Sequence, residues 1–157
     1  MGELEVRWSQ PEDRARIADL LEVEDLPRWL AWREQFLVAE RGGEIVGALE
    51  YRMAHGQIVL GIMASDLFVD ERAVARALYS EALAMAWVVG ARQVRALPTM
   101  RGDYPAEAGY RKWNRVWRGG PVRPPRHDGS HGREGGLVRR VLYLLGRSPS
   151  AEGCEAG

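Results

Sequence analysis

Apolar and polar positions divide this chain into elements before any single residue is weighed. Leu4 to Trp8 alternates apolar with charged residues, the period-two pattern of a half-buried strand. Ser9-Gln10-Pro11-Glu12 then matches a capping box, with Ser9 as N-cap, Glu12 three positions on, and proline in the first turn where its missing N–H costs nothing. A helix should follow to about Val23, with Ile17, Leu20 and Leu21 on its buried face and Arg14, Arg16 and Asp19 outward. Asp25, with Pro27 in the first turn, starts a second, shorter helix through Gln35 that carries Trp29 and Trp32. Three apolar or alternating runs come next, 36–41, 45–53 and 58–69, separated by turns at Gly42-Gly43 and His55-Gly56, which is the signal of an antiparallel meander. A helix from about Glu71 to Val89 follows, with Asp70 as N-cap, Gly90 as the stop, and Val74, Leu78, Leu83, Met85 and Trp87 among its apolar residues. Gln93 to Leu97 is the next strand, and a crossover through one helix makes it parallel to the strand before. Pro105 to Trp113 reads as a short helix, and Val116 to Val122 and Leu137 to Leu145 as two last strands. The proline- and glycine-rich stretch between those two is a loop.

Composition narrows the classes. A chain of 157 residues with 46% hydrophobic content can bury a sizeable core, so residues 1–146 are expected to form one domain and residues 147–157, poor in apolar content, a disordered tail. No apolar run approaches the roughly 20 residues needed to span a bilayer, and the first residues lack a basic stretch followed by an apolar one, so a cytoplasmic protein without a membrane partner is expected. Cys154 is the sole cysteine, which removes disulfides and thiolate clusters. His127 and His131 are four apart but interrupted by Gly129, with Gly132 next, so they do not share a helix face and no metal site is expected. Phosphate loops ending in Gly-Lys-Ser/Thr and Gly-x-Ser-x-Gly turns are absent.

Formal net charge is zero, which argues against a chain whose main task is gripping nucleic acid. The charge is uneven, however: residues 1–50 hold twelve Asp/Glu against six Arg, and residues 101–157 hold eleven Lys/Arg against six Asp/Glu. The run Arg111, Lys112, Arg115, Arg118, Arg123 and Arg126, interleaved with Trp113 and Trp117, suits phosphate contacts and base stacking, and it keeps a nucleic-acid-binding domain as the third functional reading.

The junction between the strand ending near Val69 and the helix from Glu71 is the chain's best anion cradle. A helix that begins at a strand's carboxyl end presents unpaired N–H groups. Around it, the order β-α-α-β-β-β-α-β-α-β-β resembles that of the GNAT (N-acetyltransferase) superfamily. FLVAERGGEIVGALEYR, from Phe36 to Arg52, resembles that family's hairpin. SDLFVDE followed by AVARALYSEALAMAWVVGARQVRA resembles its cofactor strand, helix and next strand, and AEAGYRK, from Ala106 to Lys112, resembles its late helix, in which an alanine precedes a tyrosine by four. The resemblance covers residues 3 to 145. It implies an α+β fold with a mixed, mostly antiparallel central sheet, one parallel pair, and helices on both faces. It further implies acetyl-CoA as cosubstrate and transfer to a primary amine of a small molecule or peptide.

The resemblance places the cofactor at Phe68, Val69, Glu71, Arg72, Ala73, Val74, Ala75 and Arg76, and makes Tyr110 the general acid for the leaving thiolate. Amine acetylation also needs a carboxylate that can position a deprotonating water. Glu50 is the first candidate and Asp66 the other. Acidic residues Glu22, Glu24 and Asp25 would favour a cationic acceptor. Two departures stand out. Ala73-Val74-Ala75 occupies the place of the family's Gly-x-Gly, in a shorter loop, and Asp70 and Glu71 put carboxylates where phosphate would sit. Trp113-Asn114-Arg115-Val116-Trp117 stands where the family has Gly-Phe. The second functional reading is therefore a binding or regulatory module of this fold that has lost acetyl-CoA. The residues leave the acceptor and the oligomeric state open.

Overall fold

The computed structural model describes residues 2–98 and 102–125. By its contacts the chain divides into Met1–Arg123 and Pro124–Gly157, and all but the first two residues of the second unit lie outside the described residues. So do the expected strand Leu137–Leu145, His127, His131, Arg126, Cys154, and the expected domain limit at residue 146.

Among the described residues, seven strands form one sheet in the order β1-β2-β3-β4-β5-β7-β6. They are β1 (Leu4–Trp8), β2 (Gln35–Arg41), β3 (Glu44–Ala54), β4 (Gln57–Ser65), β5 (Gln93–Ala96), β6 (Arg111–Trp113) and β7 (Val116–Gly119). Every neighbouring pair is antiparallel except β4 and β5. Helix α3 (Glu71–Val89) makes the crossover between those two, and α1 (Arg14–Val23), entered through a 3-10 turn at Pro11–Asp13, α2 (Leu30–Arg33) and α4 (Tyr104–Glu107) complete the helices of the described residues. Three hairpins close with both turn residues at positive φ, as two-residue I′ turns require: Gly42-Gly43, His55-Gly56 and Asn114-Arg115.

Register assigns the two faces of the sheet. Ile17, Leu20 and Leu21 of α1 pack with Phe36, Val38, Ala48 and Ala64, so these strand positions face α1 and α2. Positions one residue out of phase face α3: a Cβ on Gly47 would collide with Val74, and one on Gly119 would lie 2.6 Å from Leu83 Cδ2. Gly47 thus lets the middle of α3 sit directly on β3. Gly47→Ala is expected to cost about 1–3 kcal/mol, because the core must shift to admit one methyl. Urea denaturation would read this as a lower midpoint at unchanged slope, and an unchanged midpoint would contradict the packing.

Four expectations are corrected by local geometry. The capping box lies one residue later than read: the Gln10 N–H donates to Asp13 Oδ2 at 2.7 Å, while Ser9 prolongs β1 by donating its N–H to the Phe36 carbonyl. The second helix does not start at Asp25. That residue, at φ 55, closes α1 in a left-handed cap, with the Leu26 N–H on the Leu21 carbonyl and the Asp25 N–H on the Glu22 carbonyl, a Schellman arrangement. Helix α2 therefore keeps only Leu30–Arg33. β4 stops at Ser65 instead of reaching Val69, since Asp66 Oδ1 accepts the Phe68 N–H at 3.0 Å and turns the chain away from the sheet. The late helix ends at Glu107, and Gly109 at φ 92 lets Arg111–Trp113 return as a strand.

Candidate functional site

The parallel pair opens into a wedge. β4 and β5 are in register from Gln57↔Gln93 to Leu60↔Ala96, and the Leu97 N–H donates to the Leu60 carbonyl as the last rung. Beyond Leu60, β4 runs on to Ser65 paired, among the described residues, with β3 alone. The β3–β4 register slips between Leu49 and Tyr51, so Gly61 and Ile62 together oppose Glu50 as a β-bulge. That extra residue changes which backbone groups face outward. The Asp66 N–H donates to the Val46 carbonyl, and by the alternation of an antiparallel ladder Ala64 also turns to β3, leaving the N–H and C=O of Met63 and Ser65 on the side that β5 has left.

Glu50 lies under the bulge on the face of α1 and α2. It is a buried carboxylate, 5% exposed. Its Oε2 accepts the Ile62 N–H at 3.2 Å, and Oε1 is 3.4 Å from Arg52 Nε. Gly61 makes the room: a Cβ there would stand 2.5 Å from Glu50 Oε2. Residue type and strand position marked Glu50 only as the first of two candidate carboxylates, whereas the bulge seats it beside the open edge of β4. The other candidate, Asp66, is engaged by Arg16 at 2.5 Å. The Phe68 N–H, with Arg16, holds its carboxyl below the usual carboxylate range, so it is a poor proton acceptor.

The start of α3 is self-capped. Asp70 Oδ1 accepts the N–H groups of Arg72 at 3.1 Å and Ala73 at 3.3 Å, which are two of the donors an anion would use. Val74 and Ala75 are fully buried, their side chains in the core. Arg72 pairs with Glu107 of α4 at 2.9 Å, and Arg76 is exposed with no ion pair among the described residues. In the loop before the helix, Leu67 is 73% and Phe68 95% exposed, an apolar tip next to the wedge.

Tyr110 is buried and donates its hydroxyl to the Tyr79 carbonyl of α3 at 2.9 Å. Its ring packs edge-on against Tyr79 with centroids 5.8 Å apart. Burial, with the neighbouring Tyr79, pushes the Tyr110 hydroxyl's pKa well above the usual tyrosine value. Burial alone pushes Tyr79 up to about 12, and the Tyr79 hydroxyl has no hydrogen-bond partner among the described residues. An orphaned buried hydroxyl costs free energy that phenylalanine would not. Tyr79→Phe is therefore expected to stabilise the fold by about 1 kcal/mol and Tyr110→Phe to destabilise it by about 1 kcal/mol. Chemical denaturation of the two variants checks both signs, and a destabilised Tyr79→Phe would mean that its hydroxyl has a partner after all.

The acidic end of α1 is partly neutralised: Arg28 pairs with Asp19 at 2.8 Å and Glu22 at 2.5 Å. Trp29 and Trp32 are both about half exposed, with Arg33 stacked 5.4 Å over Trp29. A cleft of about 480 Å³ near the start of α1 is lined by Arg7, Asp13, Arg16 and Glu44, and its charges largely satisfy one another, since Arg7 holds both Asp13 and Glu40. The Arg/Trp segment divides across the sheet. Trp117 is buried with Lys112 over its ring, while Trp113 is exposed on the opposite face with Arg118 over it. Among the described residues no helix is long and apolar enough to cross a membrane.

No family model and no curated protein matches this chain. Solved structures do. A GNAT family acetyltransferase from Bacillus cereus superposes with a TM-score of 0.66 at 12% identity, over 78% of this chain and 100% of that one. A GNAT family acetyltransferase from Brucella melitensis, in complex with acetyl-CoA, gives 0.58 at 18% identity over 85% and 98%. N-acetylglutamate synthase from Neisseria gonorrhoeae, complexed with coenzyme A and L-arginine, gives 0.63 at 16% identity over 78% of this chain and 34% of that one. The chain has the GNAT fold: a mixed, mostly antiparallel seven-stranded sheet with a single parallel pair that splays apart.

Proposed function

We propose that this chain is an acetyl-CoA-dependent N-acetyltransferase acting on a primary amine of a small molecule or peptide. The observation that carries the reading is the wedge: β4 leaves β5 at a bulge, turns the backbone of Met63 and Ser65 outward, and seats a buried carboxylate, Glu50, beside the opening. An extended molecule bearing amides can pair with such an edge as an added strand would, and likenesses crystallised with acetyl-CoA or coenzyme A share the fold. Acetyl-CoA supplies an activated acyl group with a thiolate leaving group. Glu50 takes up the ammonium proton, directly or through one water, and outward N–H groups of β4 polarise the acyl oxygen. Tyr110 is assigned to return a proton to the thiolate, which requires its hydroxyl to release the Tyr79 carbonyl. Phosphates are assigned to the loop and helix start formed by Phe68, Val69, Glu71, Arg72, Ala73, Val74, Ala75 and Arg76, with Arg72 and Arg76 as the cations.

Asp70 favours a second reading, a module of this fold that no longer takes acetyl-CoA, because its carboxylate already holds the Arg72 and Ala73 N–H groups. Heat denaturation with and without millimolar acetyl-CoA separates the two. A ligand at a hundred times its dissociation constant stabilises by about 2.7 kcal/mol, which a domain of this size reports as a rise of several degrees. A rise accompanied by thiol release when amines are added supports the transferase. No rise leaves the second reading standing.

A further inference from the structure

The registers of five strands line up arginines from distant parts of the chain. Arg95 of β5 pairs with Arg118 of β7, Arg118 pairs with Arg111 of β6, Arg95 pairs on its other side with Val59 of β4, and Val59 pairs with Arg52 of β3. Residues directly opposite one another share a face, so one row across five strands carries four guanidinium groups. Its face is that of Glu50, because the residues alternating with Arg95 and Arg118, namely Val94 and Gly119, pair with each other and Gly119 abuts Leu83 of α3. Helices α1 and α2 pack on β2, β3 and β4, and no helix of the described residues covers β5, β7 and β6 on this side.

Such a row works against the fold. Like charges directly opposite across strands repel, and Arg95, Arg111 and Arg118 have no carboxylate partner among the described residues. A second observation points the same way: the Nε atoms of both Arg95 and Arg118 are enclosed yet lack an acceptor among the described residues, and enclosed donors without partners are rare in folded proteins. Two forked donors side by side match the oxygens of a small anion.

We propose that Arg95 and Arg118, flanked by Arg111 and Arg52, form an oxyanion subsite that holds the carboxylate or phosphate of the acceptor amine. The assignment rests on the transferase reading and names its substrate class: a small amine that also carries an acidic group. Position supports it. The row crosses β4 at Val59, two residues and roughly 7 Å before the bulge at Gly61, so an anion held there places the rest of an amino-acid-sized molecule toward Glu50 and the wedge. The exposed Trp113, with Arg118 against its ring at 5.6 Å, walls the far side.

The test follows the arginine Nε–Hε signals of the ¹⁵N-labelled chain during separate titrations with succinate, inorganic phosphate and a short single-stranded oligonucleotide. Succinate is expected to move the Arg95 and Arg118 signals together along one saturating curve, with Arg28, which is paired with Asp19 and Glu22, unmoved, and Arg118→Gln should weaken the response at Arg95 at least tenfold. Phosphate saturating below succinate keeps the subsite and assigns the acceptor to phosphorylated amines. Shifts that never saturate, or that Arg28 shares equally, overturn the subsite. An oligonucleotide that saturates a hundredfold below succinate overturns the small acceptor in favour of nucleic acid. None of these titrations requires acetyl-CoA, so succinate saturation in a chain that ignores acetyl-CoA would remove the transferase reading alone, while the reverse outcome would remove the subsite alone.

Discussion

Replacing Asp70 by alanine is expected to weaken the fold and tighten coenzyme A in the same variant. Asp70 is the N-cap of the 19-residue α3, and its side chain satisfies the Arg72 and Ala73 N–H groups. Losing a side-chain cap costs about 0.5–2 kcal/mol. The same change frees two donors at the positive end of the helix dipole and removes a carboxylate from the place where a phosphate would sit. One like charge near 4 Å is worth about 1 kcal/mol in water and about 4 kcal/mol at a partly shielded site. Coenzyme A should therefore bind Asp70→Ala about tenfold more tightly or better, measured by calorimetric titration, while the thermal midpoint of the ligand-free protein falls. Weaker binding alongside the lost stability would mean that the carboxylate organises the phosphate site instead of competing for it.

The second large effect belongs to Glu50. Glu50→Gln keeps an acceptor for the Ile62 N–H and nearly the same volume, so stability should change little, yet it removes the base. General-base catalysis contributes about 10²–10⁴-fold, and turnover should fall by at least a hundredfold at unchanged affinity for acetyl-CoA. Gly61→Ala is the control for geometry. Its methyl would stand 2.5 Å from Glu50 Oε2, so the carboxylate remains but must swing aside, and turnover should again drop. A Glu50→Gln variant with full activity would assign proton removal to another group.

Much of the fold was legible because its signals are local. Asp70 and Gly90 bound α3 at the residues their side chains and backbone freedom suggest, and the glycine-rich turns announce the meander. Local signals mislead where a residue's role is decided by a distant partner. Asp25 looks like a helix start and serves as the end of the previous helix. Asp66 ends β4 four residues early through a bond to Phe68, and Arg111–Trp113 becomes a strand only because β7 is there to receive it. The candidate site was legible in part for the same reason. Glu50 stood out by residue type alone, whereas its burial depends on Gly61 and the slip in β-register. Tyr110 stood out by its spacing from Ala106, but its bond to the Tyr79 carbonyl depends on how α3 crosses the sheet. The arginine row could not be seen at all, since residues 52, 95, 111 and 118 meet only through four strand registers.

The claim that the opening between β4 and β5 is the cosubstrate site is tested most directly by backbone amide signals during a titration with coenzyme A. The account predicts saturating shifts at Met63 and Ser65, whose N–H groups face the opening, together with Arg72 and Ala73 at the start of α3, and little change at Ala64, whose N–H faces β3. Saturating shifts confined to other surfaces, or none at millimolar coenzyme A, would contradict it.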